Sequence, residues 1–293
     1  MMGDVDNGRI ITLDVGGTSV KSGVVSDDGR MLTNLTTTPI NSQGTGAEIV
    51  DTLAGIIQSY LDQIGNLPLL GVGIGFPGPF DYEQGISHIQ GVAKYEAIYG
   101  LNIGKALRQR LGLPDLSIRF RNDAEAAIVG EVVYGVGRPF SRIIGLTLGT
   151  GCGSAFLVNG RAVSEGVGVP PNGWLYPILF NGQQADEWFS IRGLLTALRQ
   201  AGIEVADVKT AVQLAEEGDT AVQQVFIEFG QNLGAFLRPW VEDFQADVVL
   251  LQGGIANALP LFEQSLSAAL SVPVLQGKLG ATAALLGAAR QFS

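Results

Sequence analysis

The sequence predicts an α/β protein made of two related domains, and three observations carry that prediction. Short runs rich in Val and Ile alternate along the chain with longer segments of helical period. The chain has 293 residues, 46% of them hydrophobic, ample for a large core and better suited to two domains than to one. Displaced by 133 residues, the chain also meets itself: Ile11-Thr12-Leu13-Asp14-Val15-Gly16 falls over Ile144-Gly145-Leu146-Thr147-Leu148-Gly149. Each copy is an apolar strand, a Gly/Thr turn and a second apolar strand that ends in a polar turn. Short matches among Gly-rich hairpins also arise by coincidence. The equivalent placement in two strand–turn–strand contexts favours duplication.

The elements follow in order. Strands are expected over Ile10–Val15, Val20–Val25, Leu69–Ile74, Ile118–Phe120, Ile143–Leu148, Ser154–Val158 and Val248–Leu251, each a short apolar run bounded by turn residues. A helix is expected over Ala47–Ile64, where Ile49, Val50, Leu53, Ile56, Ile57, Tyr60 and Leu61 keep one apolar stripe. Further helices are expected over Ile103–Leu111, Ala124–Tyr134, Ile191–Ala201, Thr220–Phe244 and Ala281–Phe292. Strands alternating with such helices imply covered sheets. The domains are expected at 1–121 with 279–293, and at 122–278.

Composition narrows the function. A net charge of −10 argues against nucleic acid as a partner. A single cysteine, Cys152, excludes an internal disulfide framework and a multi-cysteine zinc site. The N-terminal MMGDVDNGR is too polar and acidic for a signal peptide. No stretch nears the roughly 20 apolar residues of a membrane span, so a soluble cytoplasmic protein is expected. The 41 glycines are dispersed among apolar runs, which favours turns and ligand loops over disorder.

Two of those turns invite a chemical reading. A Gly/Thr tip serves as a tight turn. It serves equally as a phosphate cradle, because glycine lets backbone N–H groups approach an anion and threonine adds a hydroxyl. Two such tips, Gly16-Gly17-Thr18 and Gly149-Thr150-Gly151, favour the cradle. Asp14 sharpens the case, since an acid at the end of a buried strand needs a compensating partner. Mg²⁺, which prefers one or two carboxylates plus phosphate oxygens, is the expected one.

Competing nucleotide motifs fail. GTGCGSAF lacks the third glycine of a dinucleotide fingerprint and runs into a strand where a helix is required, and no GxxxxGK[ST] occurs. Gly253-Gly254 follow the strand VVLLQ, where a glycine pair suits close approach by a nucleoside or an ordinary loop. Asn122-Asp123 stand between a strand and a helix. Asp123 is there either a helix N-cap or a general base that takes a proton from a sugar hydroxyl while Asn122 orients another. GVGIGFPGPFD, residues 71–81, ends in a turn around Gly78, either simple punctuation or a rigid wall for a polar ligand.

In order, and from Ile10 to Ala289, the motifs LDVGGT, GIGFPGP, NDAEAA, LTLGTGCGSA, LQGGI and LGATAALLGAA resemble the ROK family, the bacterial sugar kinases and related repressors of the actin-like superfamily. The resemblance implies two actin-like (ribonuclease H-like) domains with a ligand cleft between them, ATP and Mg²⁺ as cofactors, closure on sugar binding, and a homodimer. It implies Asp123 as catalytic base and Asn122, Asp123 and Gly78 as sugar contacts. It further implies Gly16, Gly17, Thr18, Gly149, Thr150 and Gly151 as phosphate contacts, Asp14 as metal contact, and Gly253 and Gly254 at the nucleoside.

The sequence departs from the family in two places. Many members carry a zinc cluster of one histidine and three cysteines after the second hairpin; VPPNGWLYPILFNGQQADEWFS holds neither, so zinc is not expected. The family's GE-x-GH segment, whose Glu and His contact sugar hydroxyls, aligns with NGWLYP and places Trp174 and Pro177 there. An aromatic ring stacks on a sugar face but accepts no pair of hydroxyl hydrogen bonds, so hexose specificity is expected to change. Glu187 falls where the family has a second sugar-binding glutamate; it is read either as that contact or as an acid favoured at a helix start. His88 is read as structural or surface, not as a metal ligand. Some nine residues precede the first strand, too few for the repressors' winged helix. The expected activity is ATP-dependent phosphorylation of a hexose-like sugar. The alternatives are a sugar or nucleotide sensor of the same fold and an actin-like assembling or chaperone-type ATPase, the latter disfavoured by FPGP and Asn122-Asp123.

Overall fold

A computed structural model describes residues 8–292; residues 1–7, most of the acidic N-terminal segment considered above, lie outside the described residues. The chain forms two compact units, one running to Gly130 and resuming at Ala281, the other Glu131–Gly280. These boundaries fall later than expected from the sequence, at 130/131 and 280/281. Part of the reason is Gly130 itself: a Cβ there would lie 2.0 Å from the Ala283 carbonyl oxygen. The first two turns of the helix Asp123–Tyr134 therefore pack directly on the C-terminal helix Thr282–Ala289 of the same unit.

The first unit is built on β1 (Arg9–Val15), β2 (Ser19–Ser26), β3 (Thr36–Pro39), α1 (Gly46–Ile64), β4 (Leu69–Phe76), β5 (Phe80–Asp81), β6 (Ile86–Ser87), α2 (Ile103–Leu111), β7 (Ile118–Asn122) and α3 (Asp123–Tyr134). Its main sheet has the order β3-β2-β1-β4-β7, antiparallel through β1 and parallel from β1 to β7. Ile11, Leu13, Ile74 and Phe76 are fully buried against the apolar face of α1. A capping box starts α1: Thr45 Oγ1 accepts from Glu48 N–H at 3.2 Å, and Glu48 Oε2 accepts from Thr45 N–H at 2.7 Å. The C-terminal helix Thr282–Ala289 is buried almost all round and packs on β1, β2 and β4. Its expected last turn is a 3₁₀ segment, Arg290–Phe292.

The second unit holds β8 (Arg142–Leu148), β9 (Cys152–Val158), β10 (Arg161–Val163), β11 (Leu179–Phe180), β12 (Gln183–Gln184), α4 (Ala185–Phe189), α5 (Ile191–Gln200), α6 (Val208–Glu216), α7 (Thr220–Phe244), β13 (Val248–Gln252), α8 (Leu259–Ser267) and β14 (Val274–Gln276). Its sheet has the order β10-β9-β8-β13-β14, the order of the first unit repeated. β1 and β8, superposed by the 133-residue offset, share the same alternation of buried and half-buried positions. The elements absent from the sequence reading are the nine-residue helices α6 and α8 and several shorter pieces. Edge strand β3, TTTP, is mostly exposed and shows no apolar alternation. Fully buried Glu131 accepts hydrogen bonds from the N–H groups of Val136 (3.3 Å) and Leu279, so one carboxylate ties both ends of this unit together. No helix among the described residues is long and apolar enough to cross a membrane.

Candidate active site

Strand register assembles the first half of the site. β1 pairs in parallel with β4 and β4 with β7, which sets Asp14 beside Gly75, Gly75 beside Arg121, and Phe76 beside Asn122. All lie at the carboxyl ends of parallel strands, where α/β sheets bind ligands. A Cβ on Gly75 would stand 3.7 Å from Asp123 Cα, so the sheet edge and the start of α3 are in contact. Asp14 and Asp123, 109 positions apart in the sequence, are thus neighbours enough for Asp123 to push the Asp14 carboxyl further above its ordinary range.

Burial is the main cause of that rise, and Lys21 opposes it. Lys21 Nζ lies 3.5 Å from Asp14 Oδ2. Asp14 thus has a protein partner, Lys21, that the sequence reading did not name beside the expected cation. The hairpin pairs Asp14 with Lys21 across β1 and β2, so both side chains emerge on one face. The register could have been read from the sequence by counting outward from the turn.

Asp123 is the first residue of α3 rather than its cap. The capping role falls to Asn122, whose Oδ1 accepts from Glu125 N–H at 3.1 Å. Asp123 Oδ1 accepts from Ala124 N–H at 2.9 Å. Burial drives the Asp123 carboxyl above its ordinary range; the Ala124 amide and the charge of Lys94 oppose this without reversing it. Asn122 Nδ2 donates to the Tyr82 hydroxyl at 3.0 Å, and that hydroxyl donates to the Phe76 carbonyl at 3.2 Å. Gly78 closes the group: a Cβ there would lie 3.1 Å from Tyr82 Oη and 3.9 Å from Asn122 Nδ2. The structure thus brings Gly78, Asn122 and Asp123 together. Tyr82, which fixes the Asn122 amide, carried no sequence signal.

The first glycine tip lies on the same unit. Gly16 N–H donates to Ser19 O at 2.9 Å, and Thr18 at the apex is exposed. The fully buried Tyr95 donates its hydroxyl to Gly16 O at 2.5 Å. A Cβ on Gly17 would sit 3.7 Å from Lys94 Cδ.

The second unit carries its own tip. Gly149 N–H donates to Gly151 O at 3.0 Å, Ile191 N–H donates to Gly149 O at 2.8 Å, and Thr150 is exposed. Here a carboxylate already occupies a neighbouring donor: Cys152 N–H donates to Asp186 Oδ1 at 2.7 Å. Burial and the nearby Asp186 push the Cys152 thiol up to about 12, so it is inert as a nucleophile. Arg192 clamps Asp186 at 2.9 Å and Glu187 at 2.6 Å. The Glu187 carboxylate, expected either at sugar or in solvent, is therefore ion-paired at the surface. It also borders a cavity of about 410 Å³, whose walls include Trp188, Thr196, Gln200, Glu228 and Asn232 but not Trp174. Trp174 instead packs on Tyr176, with ring centroids 5.9 Å apart. The structure does not bring Trp174 and Glu187 into one cavity.

Gly253 has a structural task, because at φ 91° a Cβ would stand 2.4 Å from the Leu148 carbonyl oxygen. Gly254 faces open space and is exposed. His88 is exposed beside Tyr99 in the first unit. Among the described residues no three His, Cys, Asp or Glu side chains converge as a metal cluster. Asp14 suits a different kind of cation, one held by one or two carboxylates and completed by phosphate oxygens, since its buried charge is only partly offset at 3.5 Å by Lys21.

Two α/β units of one topology, each opening on a glycine-tipped hairpin, define the class of actin-like sugar-kinase folds. The ROK family model matches residues 10–291, and the chain belongs to the ROK family. A glucokinase of Thermotoga maritima is 27% identical, covering 85% of this chain and 83% of its own. The crystal structure of a ROK hexokinase from Thermus thermophilus superposes with a TM-score of 0.79 at 24% identity, over 96% of this chain and 97% of that one. That of a ROK glucokinase from Streptomyces griseus, in complex with glucose and AMPPNP, superposes with a TM-score of 0.76 at 23% identity, over 97% and 99%.

Proposed function

We propose that the chain is a carbohydrate kinase that moves the terminal phosphoryl group of ATP to a hydroxyl of a hexose or related sugar, with Asp123 as general base. The observation that carries this reading is the meeting of Asp123, Asn122 and Gly78 at the strand ends that also present Asp14 and the Gly16–Thr18 tip. A carboxyl raised by burial is a stronger base when ionised, and the residue before it, Asn122, is held in place by Tyr82. Asn122 keeps a second amide hydrogen for a sugar oxygen after donating to Tyr82. Phosphoryl transfer is mostly positioning and charge stabilisation, so one oriented carboxylate suffices. Asp14 would hold Mg²⁺, which supplies charge neutralisation at the phosphates. Gly16, Gly17 and Thr18, with Gly149, Thr150 and Gly151, are assigned to the phosphates, and Gly254 to the nucleoside. The same reading assigns a homodimer acting in the cytoplasm.

The test is ATP-dependent turnover over a panel of hexoses, amino sugars and polyols, with sugar phosphate and ADP quantified together. Equal amounts of the two support the reading. A second reading, a sugar or nucleotide sensor, draws on Arg192 holding Glu187 at 2.6 Å and on Trp174 and Pro177 in the aligned sugar segment. Thermal stabilisation by sugar or nucleotide with no phosphorylated product would decide for the sensor.

A further inference from the structure

The loop before the helical turn Glu96–Ile98 is held in an unusual way. Ala93 and Tyr95 are non-glycine residues with φ of 56° and 58°, on either side of Lys94. Left-handed backbone at such residues costs of order 1–3 kcal/mol each and persists only where the surroundings impose it. Here they do. Tyr95 N–H donates to Ser42 O at 2.6 Å, Gln43 Nε2 donates to Ala93 O at 3.2 Å, and Ala93 N–H donates to Glu96 Oε1 at 3.0 Å. The buried Tyr95 ring packs on Phe76, and its hydroxyl is tied to the carbonyl of Gly16.

The consequence falls on Lys94. Its stem lies against the apex of the first glycine tip, where a Cβ on Gly17 would meet Cδ at 3.7 Å. Lys94 is half-buried and forms no salt bridge among the described residues. Lys21, by contrast, is committed to Asp14. A strained, multiply anchored loop thus sets the stem of one uncommitted lysine against a phosphate-ready turn, near enough to the start of α3 for its charge to act on Asp123.

We infer that Lys94 is a further catalytic residue, the cation that contacts the transferring phosphoryl group. The inference rests on the kinase reading. In that step the bond from the sugar oxygen to phosphorus forms, and the bond from phosphorus to the bridging oxygen of ADP breaks. The hydroxyl proton passes to Asp123, and Lys94 stays protonated throughout. Its charge also opposes the rise of the Asp123 carboxyl, which places the two groups in one electrostatic field. A fixed cation aimed where charge gathers acts on kcat more than on sugar binding.

The experiment compares wild type, Lys94→Met and Lys94→Arg in steady-state kinetics and in calorimetric titration with tripolyphosphate at low salt. Lys94→Gln serves in place of Lys94→Met should the latter not give a cooperative melt. Lys94→Met is expected to lower kcat by roughly 10²–10³-fold with little change in sugar KM, Lys94→Arg to restore part of it, and tripolyphosphate to bind Lys94→Met several-fold more weakly. A kcat within about threefold of wild type overturns the inference whatever the titration shows. Absence of sugar phosphate from wild type itself sinks the kinase reading instead. The titration then decides Lys94 by itself, and equal affinity of wild type and Lys94→Met overturns it.

Discussion

Asp123→Asn separates catalysis from stability. The substitution keeps the shape, and the amide oxygen can retain the 2.9 Å bond from Ala124 N–H. What it removes is a negative charge that burial disfavours, and that also raises Asp14. Loss of a general base is expected to lower kcat by about 10²–10⁴-fold. The fold should respond in the opposite sense. A carboxyl raised in the folded state gives stability that is full below its unfolded pKa, about 4, and is lost as pH rises through the folded value. Each unit of rise costs the wild type about 1.4 kcal/mol at neutral pH. Asp123→Asn should therefore melt higher than wild type at pH 7, by roughly 2–4 °C per kcal/mol, with the gap closing toward pH 3. The acid limb of wild-type kcat/KM should lie above the ordinary aspartate range. Thermal melts from pH 3 to 8 and a pH–rate profile read both effects. Undiminished turnover would refute the base, and a variant that melts lower at pH 7 than at pH 3, each relative to wild type, would refute the electrostatics.

Other residues give independent tests. Glu131→Ala removes a buried carboxylate and leaves two half-buried amides without their partner; it is expected to cost about 1–3 kcal/mol by urea unfolding, with Glu131→Gln costing less because one acceptor remains. Gly253→Ala forces a side chain to φ 91° against the Leu148 carbonyl and should cost roughly 2 kcal/mol or more, whereas Gly254→Ala should stay within about 0.5 kcal/mol by the same measurement. Glu187→Gln, if that carboxylate leaves Arg192 for substrate, should lower kcat/KM for sugar by roughly 10–100-fold; unchanged kinetics would leave Glu187 as a surface ion pair.

Long apolar periods and turn residues were legible without coordinates. Helix Ile103–Leu111 and helix Thr220–Phe244 have the limits their patterns imply, and the seven expected strands, found as β1, β2, β4, β7, β8, β9 and β13, lie where short apolar runs place them. Short edge elements were not legible, because β3 and β10 are stabilised by a neighbour's hydrogen bonds and not by an apolar pattern of their own. Within the site, Lys21 could be counted across the hairpin, but Lys94 and Tyr82 could not. Each stands tens of residues from what it serves and meets it through loops whose path no local pattern encodes.

The sequence by itself determined two homologous sheets, their glycine tips, and the acids at strand ends, since these follow from periodicity and from backbone freedom at single residues. Tertiary structure decided which of those residues share an environment. It set Lys21 against Asp14, gave the cap of α3 to Asn122 and left Asp123 to burial, and engaged Glu187 with Arg192. Such pairings depend on strand register and loop trajectory over long separations, and the energy that fixes them exists only once the chain has closed on itself.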